Sequence, residues 1–321
     1  MRQKVRLIAL ACATLAGTPA AWAAFPEQPI KMLVGFPAGS TADLIARAIG
    51  PKLAAQMGQP VIVDNRAGAG SSIAAEAVAN ARPDGYTLLV STTANVINPV
   101  LSNNLKFDFV RDLAPVTLLA ENPVVLIAPG NSPLANVAGV VSAAKAAPGK
   151  MTFASSGNGT FTHLYGELFN QLAGIKLTHV PYKGSTQAMT DVMASVVDLS
   201  FTPSTPVMGQ IRSGKLKALA VIGRNRMATL PEVPTFADAG IAGFDSALWF
   251  GLNAPAATPK PVIDKLAAEV QKAMASPDVQ TQMAAQGIDA SVGGPAPFAD
   301  LIAREMKQWA RVVKTAGVKI D

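Results

Sequence analysis

The sequence has few of the side chains on which enzymes most often rely for catalysis. Its 321 residues include one cysteine, Cys12, and two histidines, His163 and His179. The histidines have no cysteine or acidic pattern beside them, so the sequence predicts neither a metal site nor a locally encoded catalytic set. No G-x-S-x-G motif is present, and a hydrolase would need a serine and a histidine brought together from distant positions.

Charged residues are scarce as well. Asp, Glu, Lys and Arg make up 15% of the chain, and the net charge is +6. No stretch clusters lysine or arginine with aromatic residues, so no nucleic-acid-binding surface is expected. By contrast, half of the residues are hydrophobic. This composition is typical of a chain that buries a large core, and the length is typical of two domains.

Long apolar runs are absent apart from a short one near the start. Three basic residues within the first six precede the apolar run 7–15, and Ala21-Trp22-Ala23 has the form of a cleavage site. These features predict an exported protein with a signal peptide over residues 1–23, cleaved after Ala23. Cleavage would remove Cys12 and the three basic residues, which lowers the net charge from +6 to +3. Lipidation of Cys12 is a weaker alternative, because the preceding residues match that signal poorly.

The rest of the chain alternates short apolar runs with amphipathic helical patterns. This alternation favours two α/β units with mostly parallel sheets. The predicted strands are Ile30–Val34, Val61–Val63, Tyr86–Val90, Val124–Ala128, Met151–Ala154, Leu177–Val180, Leu199–Phe201 and Leu216–Ile222.

Two segments share an order of strand, small polar loop and helix. The first is VGFPAGSTADLIARAIG at 34–50, and the second is FASSGNGTFTHLYGELF at 153–169. Loops of this kind leave several backbone N–H groups free at a helix N-terminus, where carboxylate or phosphate oxygens bind. Either loop alone is more simply explained as a helix cap. The presence of both at corresponding positions makes an anion site as plausible as that explanation.

Two nucleotide-binding motifs are incomplete. The Gly68-x-Gly70 segment has Ile73 where the dinucleotide fingerprint requires a small residue. The segment GQIRSGK at 209–215 continues with Leu216 instead of the hydroxyl residue that holds magnesium. The sequence therefore predicts no nucleotide, no other cofactor and no metal.

Several segments together resemble the Bug family, the extracytoplasmic substrate-binding proteins of tripartite tricarboxylate transport systems. They occur from Pro29 almost to the end of the chain. They read PIKMLVGFPAGSTADLIAR, VIVDNRAGAGSSIAAEAVA, PDGYTLL, HLYGELF, VPYKGSTQAMTDVM, SGKLKALAV and LPEVPTFADAGI.

The resemblance implies an α/β fold of the type II periplasmic-binding-protein kind, with two α/β domains joined by a two-strand hinge around a ligand cleft. In this sequence it implies one domain over 24–120 plus 250–321 and a second over 121–249. The crossings are expected near Leu119–Asn122 and Asp245–Gly251. It also implies a periplasmic, monomeric protein that closes on its ligand.

The resemblance further implies a small carboxylate ligand held by backbone amides and ordered water. Carried over by position, one wall of the site consists of Ala38, Gly39, Ser40 and Thr41, and the other of Ser155, Ser156, Gly157 and Thr160. Weaker candidates for the far end of the ligand are Thr92, Asn95, Tyr182, Lys183 and Thr202. Asp43 and His163 are expected to support the two loops from behind. For His163 the alternative, a helix residue that only bonds its own loop, is slightly favoured.

The sequence does not identify the ligand, and several positions could influence which acid is bound. The family usually has two successive glycines in the first loop, where this chain has Gly39-Ser40. Serine adds a hydroxyl donor and restricts the backbone, which could alter ligand choice. Asn158 is either a specificity residue or a turn residue. The side chains of Phe36, Phe161 and Phe250 are either core residues or the lining of an aromatic pocket.

These observations predict a receptor without chemistry of its own that delivers a small carboxylate to the membrane subunits of a tripartite tricarboxylate transporter. Two alternatives remain. One is a solute sensor that feeds a membrane signalling protein. The other, less favoured, is an exported α/β hydrolase, which would require His163 or His179 to be hydrogen-bonded to a serine.

Overall fold

The structure, a computed structural model, describes residues 25–102, 104–244 and 247–318. The predicted signal peptide, its cleavage site and Cys12 lie outside these residues. Within the described ranges, none of the helices is both long and apolar enough to cross a membrane.

Strands and helices alternate along most of the chain. The strands are β1 Ile30–Val34, β2 Val61–Asn65, β3 Thr87–Thr92, β4 Leu113–Asn122, β5 Val124–Pro129, β6 Thr152–Ser155, β7 Thr178–Pro181, β8 Leu199–Pro203, β9 Leu216–Ile222, β10 Leu248–Pro255 and β11 Asp289–Gly293. The helices are α1 Thr41–Met57, α2 Ser72–Ala79, α3 Thr93–Leu101, α4 Phe109–Asp112, α5 Val137–Ala146, α6 Phe161–Ala173, α7 Ser185–Met193, α8 Met208–Arg212, α9 Lys260–Met274, α10 Pro277–Ala285 and α11 Pro295–Ala316. Short 3₁₀ turns occupy Ala69–Ser71 and Thr205–Val207.

The described strands form two sheets, one of six strands and one of five. The first runs β11-β4-β10-β3-β1-β2 and the second β7-β6-β8-β5-β9. In each sheet three strands are parallel, namely β2-β1-β3 and β7-β6-β8. All other pairings between the described strands are antiparallel. In the first sheet they join β3 to β10, β10 to β4 and β4 to β11, and in the second they join β8 to β5 and β5 to β9. The prediction of mostly parallel sheets was therefore wrong, because both sheets are mixed. Strands β10, β11 and β5 run against the parallel trio of their sheet, whereas β4 and β9 run with it.

The chain passes between the two sheets at a single proline. Strand β4 of the first sheet ends at Asn122, and β5 of the second begins at Val124. The return lies between the end of β9 at Ile222 and the start of β10 at Leu248. Strands β4 and β10 pair with each other along the first sheet. The predicted crossing near Leu119–Asn122 falls on the last residues of β4, and the one near Asp245–Gly251 runs into the start of β10. Both crossings and the domain limits at 120 and 250 stay predictions.

Apolar packing joins the two units near the C-terminus. Trp309 of α11 is fully buried and meets Tyr165 of α6 edge to face, with ring centroids 5.3 Å apart. Gln171 of α6 donates a hydrogen bond to the carbonyl of Val312. Edge-to-face aromatic pairs of this kind contribute about 0.5–1.5 kcal/mol beyond their buried area. The long C-terminal helix therefore holds α6, and with it the loop that precedes α6, in place.

Candidate functional site

A cleft of about 1070 Å³ lies where the loops after β1 and β3 approach those after β6 and β8. In open α/β sheets, ligands bind beyond the carboxyl ends of parallel strands where the strand order reverses. The residues that line the cleft are Phe36, Ser40, Thr41, Ala42, Ala69, Gly70, Ser72, Thr92, Ala94, Ile97, Asn98, Leu101, Ser102, Asn104, Leu105, Ser156, Asn158, Gly159, Thr160, Phe161, Ser185, Pro203, Leu248 and Phe250.

The N-terminus of α1 forms part of one wall. Ser40 is the N-cap, and its Oγ accepts a hydrogen bond from the amide of Asp43 at 3.4 Å. The Asp43 carboxylate accepts the Gly39 amide at 2.9 Å. Burial opposes a charge on Asp43, but its bonds with Arg47 and Gly39 outweigh that effect and hold its pKa below the ordinary value. The first amides of the helix, at Thr41 and Ala42, have no acceptor within the helix and remain for a ligand.

The N-terminus of α6 forms the opposite wall. Its N-cap is Thr160, whose side chain does not cap the helix but donates to the carbonyl of Gly157 at 2.7 Å. The Thr162 hydroxyl lies 2.9 Å from that of Thr160 and 3.0 Å from that of Ser156. The amides of Phe161 and Thr162 are therefore not used by the cap and can serve a ligand.

The loop before α6 uses many of its own amides. The amide of Ser156 donates to Thr162, that of Gly157 to Ser155, and that of Gly159 to His163. The expectation of several free N–H groups within this loop was therefore wrong. Short side chains of the same segment satisfy them, and the available amides lie in the first turn of the helix instead.

Two further helix starts reach the cleft. Thr92 caps α3 in a reciprocal arrangement, in which its hydroxyl accepts from Ala94 and its amide donates to Asn95 at 2.9 Å. Ser185 is the first residue of α7, and no side chain caps that helix. Helix N-termini carry partial positive charge, so their convergence favours an anionic ligand.

A third wall comes from the segment before α2. Ala69, Gly70 and Ser71 all have positive φ angles, 45°, 58° and 76°, which alanine and serine rarely adopt. Asn98 holds this turn, since its Nδ2 lies 3.1 Å from the carbonyl of Ala69 and 2.7 Å from that of Gly70. Sequence reasoning missed this wall. The available signal was the Gly68-x-Gly70 segment, which was considered only as a nucleotide motif.

Five of the predicted contact residues line the cleft, namely Ser40, Thr41, Thr92, Ser156 and Thr160. The other predicted residues are not part of that lining, namely Ala38, Gly39, Asn95, Ser155, Gly157, Tyr182, Lys183 and Thr202. Asn95, Ser155 and Thr202 are buried. The Tyr182 hydroxyl donates to Asp191 at 2.6 Å, and burial together with this bond raises the pKa of Tyr182 to about 12.

The cleft combines polar helix ends with an apolar surface. All three phenylalanines that the sequence left open, Phe36, Phe161 and Phe250, line it, and so does Asn158. Leu101 and Leu105 extend the apolar part. Among the described residues, those that line the cleft include no charged side chain. A ligand's negative charge would therefore meet backbone amides and hydroxyls instead of arginine or lysine.

One contact is of the kind that a hydrolase would require, a histidine hydrogen-bonded to a serine. The Ser155 Oγ lies 2.6 Å from His179 Nε2. However, Ser155 has no solvent exposure, and its hydroxyl also contacts the amide and the carbonyl of Gly157. A nucleophile must reach its substrate, so this geometry fits a structural bond better than a catalytic one. Within the described residues, no group of three or more metal-binding side chains occurs either.

Comparison with known proteins identifies the family. The profile of the tripartite tricarboxylate transporter family receptor, TctC, matches residues 45–318. The chain belongs to this receptor family. Protein BugT of Bordetella pertussis is 36% identical over 298 residues, covering 92% of this chain and 91% of BugT. The resemblance to the Bug family is thereby confirmed, and TctC receptors are periplasmic solute-binding proteins.

Solved structures confirm the fold. The R. palustris protein Rpa4515, determined with adipate, is 30% identical with a TM-score of 0.76, and the match covers 92% of this chain and 99% of that one. MatC from Rhodopseudomonas palustris, determined with bound malate, is 32% identical with a TM-score of 0.73, over 90% and 100% of the two chains. The two-domain α/β architecture of TctC receptors is therefore the architecture of this chain.

Proposed function

We propose that this TctC receptor captures a small carboxylate between the N-termini of α1 and α6 and delivers it to the membrane subunits of a tripartite tricarboxylate transporter. The observation that carries the proposal is that both helix starts line one cleft that has no charged side chain among its described lining residues. The first two amides of each helix have no acceptor within the helix. The solved relatives that hold adipate and malate support this ligand class.

The energies available at such a site are sufficient for a receptor. A helix N-terminus stabilises an anion by about 0.3–1 kcal/mol when exposed and by up to about 2 kcal/mol when partly buried. Each hydrogen bond to a charged group adds about 1.5–3 kcal/mol. Four such bonds supply about 6–12 kcal/mol, and two partly buried helix ends add up to about 4 kcal/mol. The upper part of this range reaches the roughly 8 kcal/mol of micromolar binding after about 4 kcal/mol is lost to association.

The cellular role follows from the same proposal. The chain is exported, cleaved after Ala23 and works as a periplasmic monomer whose two domains close on the ligand, without catalysis, cofactor or metal. A transporter partner is favoured over a signalling partner because the family is that of a transporter receptor. The remaining predicted residues, including Asn95, Lys183 and Thr202, contact the ligand only if the closed form brings them to it.

The first experiment is thermal unfolding of the mature chain, from Ala24 onward, with mono-, di- and tricarboxylates that include adipate and malate. The uncharged diamides of the same acids are the control ligands. A ligand at about 100 times its dissociation constant adds roughly 2.7 kcal/mol, which raises the midpoint by several degrees. We expect a shift with at least one acid and none with its amide.

Proline substitutions test the two helix starts. Proline fits the first position of a helix but has no N–H group, so Thr41→Pro and Phe161→Pro each remove one proposed donor. Both preceding residues already have the extended backbone that a following proline requires. Thr41→Ala and Phe161→Ala are the matched controls. We expect each proline variant to bind at least about tenfold more weakly than its alanine control, as measured by calorimetry.

Two outcomes would contradict the proposed function. One is the absence of any midpoint shift across the whole panel of acids. The other is equal affinity of the proline and alanine variants, which would remove the helix starts from the site.

A further inference from the structure

The two helices that face the cleft share one hydrogen-bonding device. In α1, the third residue of the helix, Asp43, accepts the amide of Gly39, the residue just before the N-cap. In α6, the third residue, His163, accepts the amide of Gly159 at 3.1 Å, again the residue just before the N-cap. The acceptors occupy equivalent positions but differ in charge.

The two acceptors, the Asp43 carboxylate and the His163 imidazole, have different surroundings. Asp43 is 2% exposed, and its carboxylate is balanced by Arg47, whose Nε lies 3.0 Å away. An acidic side chain in the first turn already compensates part of the positive end of α1. His163 accepts through Nδ1, so that nitrogen carries no proton in this bond.

A second ring fixes His163 from one side. The imidazole of His179 stacks on that of His163 with centroids 3.7 Å apart and an angle of 7° between the planes. Burial and the neighbouring His163 lower the pKa of His179 to about 4, so the His179 ring is neutral near pH 7. Two protonated rings at this distance would repel each other strongly.

The charged group that faces the stack fixes the tautomer. Glu167 of the same helix lies 3.8 Å from His163 Nε2. A proton on Nε2 is favoured beside this carboxylate, which leaves Nδ1 as the acceptor for Gly159. His179, on β7, contacts Ser155 through Nε2, and the Ser155 Oγ accepts the amide of Gly157. The two rings together therefore hold both glycines that flank Asn158.

We infer that His163 is a positioning residue for the α6 N-terminus, because it supports its loop as Asp43 does but adds no negative charge beside the ligand. The α6 N-terminus is thereby kept for the ligand's carboxylate, and His179 is the positioning residue that holds His163. This inference rests on the proposed function, since it concerns the same cleft.

The first test needs no ligand. Nitrogen-15 NMR of the mature chain reports which imidazole nitrogen carries the proton. We expect His163 protonated at Nε2 only and a Gly159 amide protected from hydrogen exchange. His163→Asn retains an acceptor near the position of Nδ1 and should preserve that protection, whereas His163→Leu should lose it. Protonation at Nδ1, or equal protection of the amide in all three proteins, would overturn the positioning role.

The second test uses adipate and malate as probes and calorimetry as the measurement. We expect His163→Asn to bind within about threefold of wild type and His163→Asp to bind at least tenfold more weakly, because both can accept Gly159 but only aspartate adds charge. Equal affinity of the two variants would overturn the inference.

A reciprocal variant covers the case in which His163→Asp fails to fold. Asp43→Asn retains the acceptor for Gly39 and removes the charge from α1, so it should bind the probe severalfold more tightly. No change in this variant would count against a role for charge at these positions. If the wild type binds neither acid nor any other carboxylate of the thermal panel, the proposed function fails, while the NMR result still decides the role of the histidines.

Discussion

Acidification should destabilise the protein through His179. The ring is half-buried, and burial and His163 place its pKa at about 4, against 6.5 for an ordinary histidine. Between these two values the unfolded chain binds a proton that the folded chain does not. The free energy of unfolding must therefore fall as the pH drops from above 6.5 towards 4. Above about pH 7 the ring is neutral in both states, and its titration contributes nothing.

The size of the effect follows from the two pKa values. At about pH 5 the linkage gives a loss of about 2 kcal/mol, with an upper limit of about 3 kcal/mol below pH 4. His179 retains some solvent contact, and screening reduces the expected loss at pH 5 to about 1–2 kcal/mol. A loss of that size is a noticeable part of the stability of a typical domain.

The assay is urea unfolding at about pH 7.5 and about pH 5 for the wild type and for His179→Gln. Glutamine does not titrate and can place its amide nitrogen near Ser155, so it keeps one hydrogen bond while removing the proton site. Other groups titrate in both proteins, and the difference between the two isolates His179. We expect the wild type to lose about 1–2 kcal/mol more than the variant. An equal loss in both proteins would refute the reasoning.

Two further predictions concern stability. Ser40→Ala removes the hydroxyl that accepts the Asp43 amide and should cost about 1 kcal/mol in thermal or urea unfolding, and unchanged stability would show that this cap contributes nothing. Gly166→Ala would place a methyl group 2.0 Å from the ring of Phe153. This overpacking should lower the free energy of unfolding by about 1–3 kcal/mol. Gly209→Ala, in open space on α8, is the control and should be neutral or stabilising, so equal effects at both glycines would contradict the packing argument.

The parts of the fold that could be predicted are those with a local pattern. Strand β1 was predicted with the limits that the structure shows, because five apolar or half-buried residues end at a small loop. The helix starts at Ser40 and Thr160 were predictable for the same reason, since strand, loop and cap follow one another along the chain. Strand β11 was missed because Asp289–Gly293 has little apolar character and depends on its pairing with β4.

The parts of the site that could not be predicted depend on distant contacts. Ser155 was expected in a ligand-binding loop, yet it ends β6 and faces a histidine 24 residues later. Asn98 lines the cleft because it reaches the turn at Ala69–Ser71, and nothing in its own neighbourhood indicates that partner. The resemblance to the Bug family supplied the overall architecture, but it could not show which loop amides are already taken by neighbouring side chains.

The lack of charged side chains among the described residues that line the cleft also bears on how quickly a ligand arrives. Lysine and arginine attract anions over distances near a Debye length, about 10 Å in dilute salt, whereas the dipole at a helix end acts only within its first turn. An anion would consequently find this cleft by unassisted diffusion, and its association rate would change little with ionic strength. Discrimination between acids would then appear in how long each one stays, which depends on the fit of its carbon skeleton to the cleft.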